Sequence, residues 1–172
     1  MKDILFVTGG CRSGKSKFAL EFADRLFDRK VFMATCRPDD QEMLQRIREH
    51  QKARGSEWQT VEVPTALPEA VASHSNKGDV ILIDCLTLWV SNLLAGGASH
   101  EEILAHADAL IQAIDEVACS VILVSNEVGT GIVPENKLAR RFRDGAGLVN
   151  QKVAACSHTV VWMVAGVPVT IK

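Results

Sequence analysis

The sequence predicts an α/β fold in which helices cover both faces of a doubly wound, mostly parallel sheet. Short apolar runs alternate along the chain with segments of helical periodicity, the order that produces parallel strands joined by helical crossovers. Residues 4–7 and 80–83 are apolar at every position, as expected of strands that are covered on both faces. At 172 residues the chain has the length of one domain, and we predict a single domain over residues 1–172.

The predicted elements follow one another in a regular order. Runs that are apolar, or that alternate apolar with polar residues, predict strands at 4–7, 31–34, 58–63, 80–83, 121–124, 160–164 and 167–171. Helical periodicity predicts helices at 15–26, about 40–54, 67–74, 87–95, 99–117 and 135–155. Gly96 and Gly97 end one of these helices, and Ser99 with Glu102 starts the next as a capping box. We expect the last helix to be interrupted near Gly145 and Gly147.

Composition excludes several classes of protein. The net charge is −2, from 19 basic and 21 acidic residues, which argues against a nucleic-acid partner. No apolar run approaches the roughly 20 residues of a membrane span, and the first apolar run is too short for a signal peptide. The five cysteines are odd in number and widely spaced, without metal-ligand spacing. We therefore predict a cytoplasmic protein with free thiols and no transmembrane segment.

The strongest motif lies between the first predicted strand and the first predicted helix. It matches the pattern G-x-x-x-x-G-K-[ST] at every fixed position and reads Gly9-Gly10-Cys11-Arg12-Ser13-Gly14-Lys15-Ser16. In such a phosphate-binding loop, or P-loop, backbone N–H groups surround phosphate oxygens, the lysine reaches the β and γ phosphates, and the serine hydroxyl binds Mg²⁺. The following helix adds the positive end of its dipole. The motif in this context predicts a nucleotide-binding fold of the P-loop NTPase (RecA-like) kind.

A magnesium ion bound with the nucleotide needs an acidic group close to the P-loop. Asp84 directly follows the predicted strand 80–83, the position of a Walker-B aspartate, and we predict Ser16 and Asp84 as the Mg²⁺ ligands. The alternative is that Asp84 caps the helix that follows it. Glu127 follows the strand at 121–124 and is the competing candidate, able to bind metal, orient a hydroxyl or cap a turn.

A second cluster of functional residues lies in the predicted helix at about 40–54. Arg46, His50 and Arg54 are four residues apart and share one helical face. The two guanidinium groups favour a neutral, nucleophilic imidazole and can neutralise a polyphosphate that approaches it. The alternative is an exposed basic helix face on which His50 is incidental.

Further segments stand in a fixed order along the chain. After the P-loop come Glu42-Met43, Arg46-Ile47 with His50, Trp58, Asp84-Cys85-Leu86-Thr87 with Asn92-Leu93-Leu94, the loop at 125–136, and Phe142-Arg143-Asp144 with Gly147, Asn150 and Gln151. This ordered set resembles, essentially from end to end, the bifunctional adenosylcobinamide kinase / adenosylcobinamide-phosphate guanylyltransferase family of cobalamin biosynthesis. The loop at 125–136 is its most diagnostic segment.

The resemblance implies two successive reactions. ATP or GTP phosphorylates the aminopropanol hydroxyl of adenosylcobinamide, with Lys15 of the P-loop acting on the triphosphate. GTP then transfers GMP to adenosylcobinamide phosphate through a guanylylated histidine, which is His50 in this chain, and the products are adenosylcobinamide-GDP and pyrophosphate. The resemblance also implies a homo-oligomer, a trimer.

The resemblance further implies a set of guanine-nucleotide contacts. Besides the P-loop these fall on Thr35-Cys36-Arg37, Gln51-Lys52-Ala53-Arg54, Glu62 and Asp84. The Glu62 carboxylate would accept hydrogen bonds from guanine N1–H and N2–H₂, although an exposed strand residue without a ligand is the alternative. Two other functions stay open from the residues alone. One is a monofunctional P-loop kinase of another small hydroxyl substrate, with His50 idle, and the other is a non-catalytic nucleotide-binding switch.

Overall fold

The protein was analysed as a computed structural model, which describes residues 2–37, 55 and 57–172. The strands of this part of the chain are β1 Ile4–Gly9, β2 Lys30–Ala34, β3 Trp58–Glu62, β4 Val80–Asp84, β5 Ser120–Asn126, β6 Thr159–Val164 and β7 Val167–Thr170. The helices are α1 Lys15–Leu26, α2 Leu67–His74, α3 Leu86–Ala95, α4 His100–Glu116 and α5 Lys137–Cys156. The predicted helix at about 40–54 lies outside the described residues.

The strands form one sheet in the order β3-β2-β4-β5-β1-β6-β7. Neighbouring strands are parallel except for β6 and β7, which form an antiparallel hairpin. The central strands β1, β2, β4 and β5 are buried on both sides, and their successive residues point to opposite faces. Ile4 and Phe6 pack into the core beneath α2–α5, whereas Leu5 and Val7 pack into the core beneath α1. The predicted doubly wound, mostly parallel architecture is confirmed.

The expected interruption of the last helix is wrong. Helix α5 continues without a break from Lys137 to Cys156. A glycine inside a helix costs about 1 kcal/mol relative to alanine, which is why the sequence suggested a break. Gly145 is buried, however, and a methyl group there would lie 3.7 Å from Val90 Cγ1 and 3.8 Å from Ile103 Cδ1. These are ordinary van der Waals distances, so the position does not require glycine. Helix α5 is continuous because its buried face, with Ala146, Val149 and Val153, packs into the core, and this packing outweighs the local cost of the glycines.

The end of α3 and the start of α4 have the predicted capping residues. Ser99 Oγ accepts from the backbone N–H of Glu102 at 3.2 Å, and Glu102 Oε2 accepts from the backbone N–H of Ser99 at 2.7 Å, so the capping box is confirmed. Gly97, just beyond the end of α3, has φ of +92°. In the part of the chain that the structure describes, no helix is both long and apolar enough to span a membrane.

Candidate active site

The carboxyl ends of the parallel strands meet along one edge of the sheet. Gly9 of β1 is opposite Asn126 of β5, and Ala34 of β2 is opposite both Asp84 of β4 and Glu62 of β3. Neighbouring strands lie about 4.8 Å apart, so this edge extends about 19 Å from β1 to β3. Open α/β sheets bind ligands outside the carboxyl ends of their strands. The structure therefore brings the predicted P-loop, Asp84 and Glu62 to the edge where a ligand is expected.

The P-loop has the backbone conformation that its glycines permit. Gly9 has φ of +148°, Arg12 +54° and Gly14 +93°. A methyl group on Gly9 would lie 2.5 Å from the carbonyl oxygen of Met163, so this position requires glycine. Helix α1 begins at Lys15 without a side-chain cap, which leaves its first N–H groups for an anion.

Lys15 is folded back into the loop that precedes it. Its Nζ donates to the carbonyl oxygen of Gly10 at 2.6 Å and to Ser13 Oγ at 3.4 Å. Burial lowers the pKa of Lys15, and the negative charge of Asp84 acts in the opposite direction. A phosphate brought into the loop would supply this buried ammonium group with a strong anionic partner.

Thr35 fixes the ends of β2 and β4 relative to each other. Its hydroxyl donates to the carbonyl oxygen of Cys85 at 2.8 Å and accepts from the N–H of Cys85 at 2.8 Å. Its own N–H donates to the carbonyl oxygen of Asp84 at 3.3 Å, and the residue is fully buried. The hydroxyl therefore positions the strand end that carries Asp84, and Cys36 and Arg37 are the members of this predicted segment with exposed surface.

Asn92 on α3 joins the end of β2 to the segment that follows β3. Its Nδ2 donates to the carbonyl oxygen of Thr35 at 2.7 Å and to that of Pro64 at 2.9 Å. The residue at the N-cap position of α3 is Cys85, without a side-chain cap hydrogen bond. Burial raises the pKa of the Cys85 thiol to about 12, which keeps it protonated and inert at neutral pH.

Glu127 lies directly against the start of the P-loop. Its backbone N–H donates to the carbonyl oxygen of Gly9 at 2.9 Å, and its Oε1 accepts from the N–H of Gly129 at 2.6 Å. Two residues earlier, Ser125 shares a hydrogen bond with Thr87 at 3.2 Å. Thr87 Oγ1 in turn accepts from the N–H of Asn126 at 2.7 Å. The end of β5 is therefore held on one side by β1 and on the other by α3.

The hairpin of β6 and β7 supports the P-loop from its far side. The N–H of Gly166, at the tip of the hairpin, donates to the carbonyl oxygen of Ser13 at 3.1 Å. A cleft of about 330 Å³ lies between the P-loop and residues 162–165 of the hairpin. Glu127 and Thr130 also line this cleft. No local pattern in the sequence signals this contact, because Ala165 and Gly166 are typical of any tight turn.

Comparison with known proteins shows the family to which the chain belongs. The model of the family described as cobinamide kinase / cobinamide phosphate guanyltransferase matches residues 5–171. The chain belongs to this family. The family resemblance that the ordered motifs indicated is thereby confirmed. The match includes the P-loop, Asp84 and the loop at 125–136.

Curated members of this family are similar to the chain over their whole lengths. The bifunctional adenosylcobalamin biosynthesis protein CobP of Pseudomonas aeruginosa is 38% identical over 172 residues, which cover 100% of this chain and 98% of that protein. The proteins of the same description named CobU in Escherichia coli and Salmonella typhimurium are each 41% identical. In both cases the match covers 98% of this chain and 99% of the relative.

A solved structure confirms the fold class. An ATPase of the type III secretion system of pathogenic bacteria has a TM-score of 0.56 at 8% sequence identity. The likeness covers 93% of this chain and 50% of that one. At this identity the likeness shows the fold alone, which is the NTPase fold that the P-loop predicted.

The predicted site of this family member is only partly within the described residues. The P-loop, Thr35-Cys36-Arg37, Glu62 and Asp84 lie on one edge, whereas His50 and residues 51–54 lie outside the described part of the chain. Sequence reasoning assigned no role to Thr87 or Asn92. Their signal was a hydroxyl and an amide in the mostly apolar segment 86–95, where Ser91 is the other polar residue, since polar side chains that become buried need hydrogen-bond partners.

Proposed function

We propose that the chain is a bifunctional adenosylcobinamide kinase and adenosylcobinamide-phosphate guanylyltransferase. It phosphorylates adenosylcobinamide with ATP or GTP, then transfers GMP from GTP to the new phosphate and releases pyrophosphate. The observation that carries the proposal is the family match over residues 5–171 together with the formed P-loop at the carboxyl edge of the sheet. Both reactions begin with a nucleoside triphosphate on that loop.

The nucleotide extends along the edge from β1 toward β3 in this proposal. The phosphates occupy the P-loop, where Lys15 and the N-terminus of α1 neutralise their charge. Cys36 and Arg37 follow β2, and the exposed Glu62 ends β3 about 19 Å from the P-loop strand. A carboxylate at that distance suits the Watson–Crick edge of guanine, whose N1–H and N2–H₂ are donors.

Ser16 and Asp84 are the residues that would hold Mg²⁺. Both offer oxygen ligands, and both are partly buried near Lys15, whose pKa responds to the Asp84 charge. Within the described residues, no group of three or more His, Cys, Asp and Glu side chains could hold a metal ion. This fits Mg²⁺, which is usually held by one or two protein oxygens together with phosphates and water. When bound, the ion would offset negative charge on the phosphates.

His50 is the proposed carrier of GMP. Its neutral imidazole nitrogen attacks the α-phosphorus of GTP, a P–N bond forms, and the bond from that phosphorus to the α–β bridging oxygen breaks. Pyrophosphate leaves with the bonding electrons. An oxygen of adenosylcobinamide phosphate then attacks the same phosphorus and releases the imidazole. Support comes from the Arg46, His50 and Arg54 spacing and from the family, with residues 51–54 as further nucleotide contacts.

A homo-oligomer, by resemblance a trimer, completes the proposal. Strand β7 lies at the end of the sheet, and its apolar side chains are open to solvent, with Val167 61% and Val169 42% exposed; Ile171, just after the strand, is 60% exposed. An unpaired apolar edge strand favours association with another chain. Sedimentation equilibrium measures the mass of the assembly, and Val169→Lys should lower that mass toward the mass of one chain.

We place the protein in the cytoplasm. The five cysteines are free thiols, as expected in that compartment.

One labelling experiment tests the central step. The protein is incubated with Mg²⁺ and GTP labelled on the α-phosphate and then denatured, and we expect an acid-labile, base-stable label on the protein. His50→Ala should remove the label, whereas His106→Ala, a matched change at an exposed histidine of α4, should keep it. Lys15→Ala should lose both activities.

The same experiment separates the proposal from the two other functions. A monofunctional kinase would phosphorylate an acceptor without ever carrying label, and a nucleotide-binding switch would do neither. An unlabelled wild-type protein would therefore refute the guanylyltransferase assignment. Full phosphorylation by Lys15→Ala would refute the role of the P-loop.

A further inference from the structure

The cleft between the P-loop and the β6–β7 hairpin has no role in the proposed nucleotide site, and Glu127 is the predicted candidate residue outside the P-loop that lines it. Gly10, Cys11, Arg12 and Ser13 form one wall, and residues 162–165 form the wall opposite. Trp162 is 43% exposed and supplies apolar surface beside the loop. The cleft is thus open to solvent, mostly apolar on its hairpin side, and lined by the loop that would hold the phosphates of a nucleotide.

Glu127 is the one acidic residue among the side chains that line this cleft. Two hydrogen bonds hold it in position: its backbone N–H donates to the carbonyl oxygen of Gly9, and its Oε1 accepts from the N–H of Gly129. A carboxylate has about four acceptor sites on its two oxygens, so the bond to Gly129 leaves the group able to accept another donor. A fixed acceptor beside the P-loop is the arrangement that a kinase needs for its acceptor hydroxyl.

Asp84 is less suited to that task. It lies on β4, which β5 separates from the P-loop strand, and its charge acts on Lys15. The hairpin cleft lies beside β6, on the opposite side of β1. A nucleotide on the P-loop would then have its metal ligand on one side and an open acceptor cleft on the other.

We propose that this cleft receives the hydroxyl-bearing aminopropanol arm of the corrinoid, and that Glu127 accepts the hydrogen bond of the reacting hydroxyl. The inference rests on the proposed function and deepens it by naming the acceptor subsite. A volume of about 330 Å³ is at the low end for ligand pockets, so the cleft takes the arm and leaves the macrocycle outside. Trp162 forms the apolar surface against which the arm lies.

The phosphoryl transfer balances with these groups. The hydroxyl oxygen forms a bond to the γ-phosphorus while the bond from that phosphorus to the β–γ bridging oxygen breaks. The nucleoside diphosphate leaves with the bonding electrons. The hydroxyl proton passes to the Glu127 carboxylate and from there to solvent. Glu127 is a catalytic residue in this step because it touches the reacting hydroxyl.

The second reaction does not need this proton acceptor, and that difference makes the proposal testable. Adenosylcobinamide phosphate attacks the guanylylated enzyme with an oxygen that is already ionised, so no hydroxyl proton has to be removed. Glu127→Gln retains an oxygen that can accept from Gly129, and it loses only the charge and the basicity. The turn is preserved, and the effect of the substitution falls on the phosphorylation step.

The experiment compares both half-reactions in wild type and Glu127→Gln. Phosphorylation of adenosylcobinamide should lose about 10²–10⁴-fold in kcat, the usual contribution of a general base, with little change in the acceptor KM. Transfer of GMP to separately supplied adenosylcobinamide phosphate, and α-label incorporation from GTP, should stay within about threefold of wild type. Glu135→Gln, an exposed acid of the same loop, is the matched control and should leave both reactions unchanged.

Each other outcome is informative. Phosphorylation by Glu127→Gln at the wild-type rate would overturn the proposal. Loss of both half-reactions together with a lower melting temperature would also overturn it, because Glu127 would then only stabilise the loop. A wild-type protein that phosphorylates no corrinoid would refute the proposed function itself. Trp162→Ala should raise the acceptor KM by about tenfold, the equivalent of about 1.4 kcal/mol, while the nucleotide KM stays unchanged.

Discussion

Replacing Thr35 with valine removes the hydroxyl that joins the ends of β2 and β4. The two side chains have nearly the same shape, so the substitution leaves the packing intact and deletes only polar contacts. The N–H of Cys85 loses its hydroxyl partner in a buried position. The carbonyl oxygen of Cys85 loses one donor but keeps the N–H of Trp89 at 3.2 Å.

The size of the effect follows from those two groups. An orphaned buried N–H costs about 1–3 kcal/mol, and loss of one of two hydrogen bonds to a carbonyl costs about 0.5–1.5 kcal/mol. The added buried methyl group recovers about 0.8 kcal/mol. The net loss for Thr35→Val is then about 2 kcal/mol. Thr35→Ser keeps the hydroxyl and removes only a methyl group, which costs about 1 kcal/mol.

Urea unfolding followed by tryptophan fluorescence measures this difference. With a slope of about 2 kcal/mol per molar urea, the midpoint should fall by about 1 M for Thr35→Val and about 0.5 M for Thr35→Ser. Because Asp84 precedes the affected peptide, Mg²⁺-dependent nucleotide binding should weaken in the valine variant more than in the serine variant. A valine variant as stable as the serine variant would show that the hydroxyl is not what joins the two strands.

Three further experiments test other parts of the protein. Lys15→Met should raise the melting temperature at pH 7 without nucleotide, because burial lowers the pKa of Lys15 and the charged amine destabilises the fold. The gain should fade as the pH approaches 10.5, where the unfolded lysine also loses its proton, and added GTP should no longer stabilise the variant. Gly9→Ala should cost about 1–3 kcal/mol in unfolding experiments because its methyl group meets a carbonyl of β6. The control Gly10→Ala should cost far less, since no atom lies within 4 Å of the added group. In mass-spectrometric thiol labelling at pH 8, Cys11 is exposed and should react first, more slowly with nucleotide present. Cys85 should stay unmodified until the protein unfolds, because its pKa is about 12.

Local patterns predicted the elements and the P-loop because each depends on residues close together in the chain. The all-apolar run at 80–83 is typical of a strand that is covered on both faces, and it forms part of β4. The capping box of Ser99 and Glu102 involves residues within one helical turn. The interruption expected in α5 failed for the opposite reason. Helix α5 is continuous because its buried face packs into the core against residues of other helices that are distant in the sequence.

The parts of the site that could not be predicted depend on residues far apart in the sequence. Thr35 forms its hydrogen bond with Cys85, 50 residues later in the sequence, and the carbonyl oxygen of Ser13 accepts from the N–H of Gly166, near the other end of the described chain. A hydroxyl after a strand has the same local pattern whether it faces a ligand or another strand end. Its partners are set by the strand order, and the sequence shows no sign of that order. For the same reason the residues alone do not separate Asp84 from Glu127, since each of them ends or follows a buried strand.

The position of β1 between β5 and β6 also determines when the site forms during synthesis. The P-loop strand is translated first, but its neighbours Ser120–Asn126 and Thr159–Val164 follow more than a hundred residues later. The hydrogen bond from Gly166 to Ser13 comes later still. A nascent chain therefore carries the complete phosphate-binding motif long before it can hold a phosphate, since such distant contacts form only after the intervening chain exists. We therefore expect nucleotide binding only once synthesis has passed Gly166.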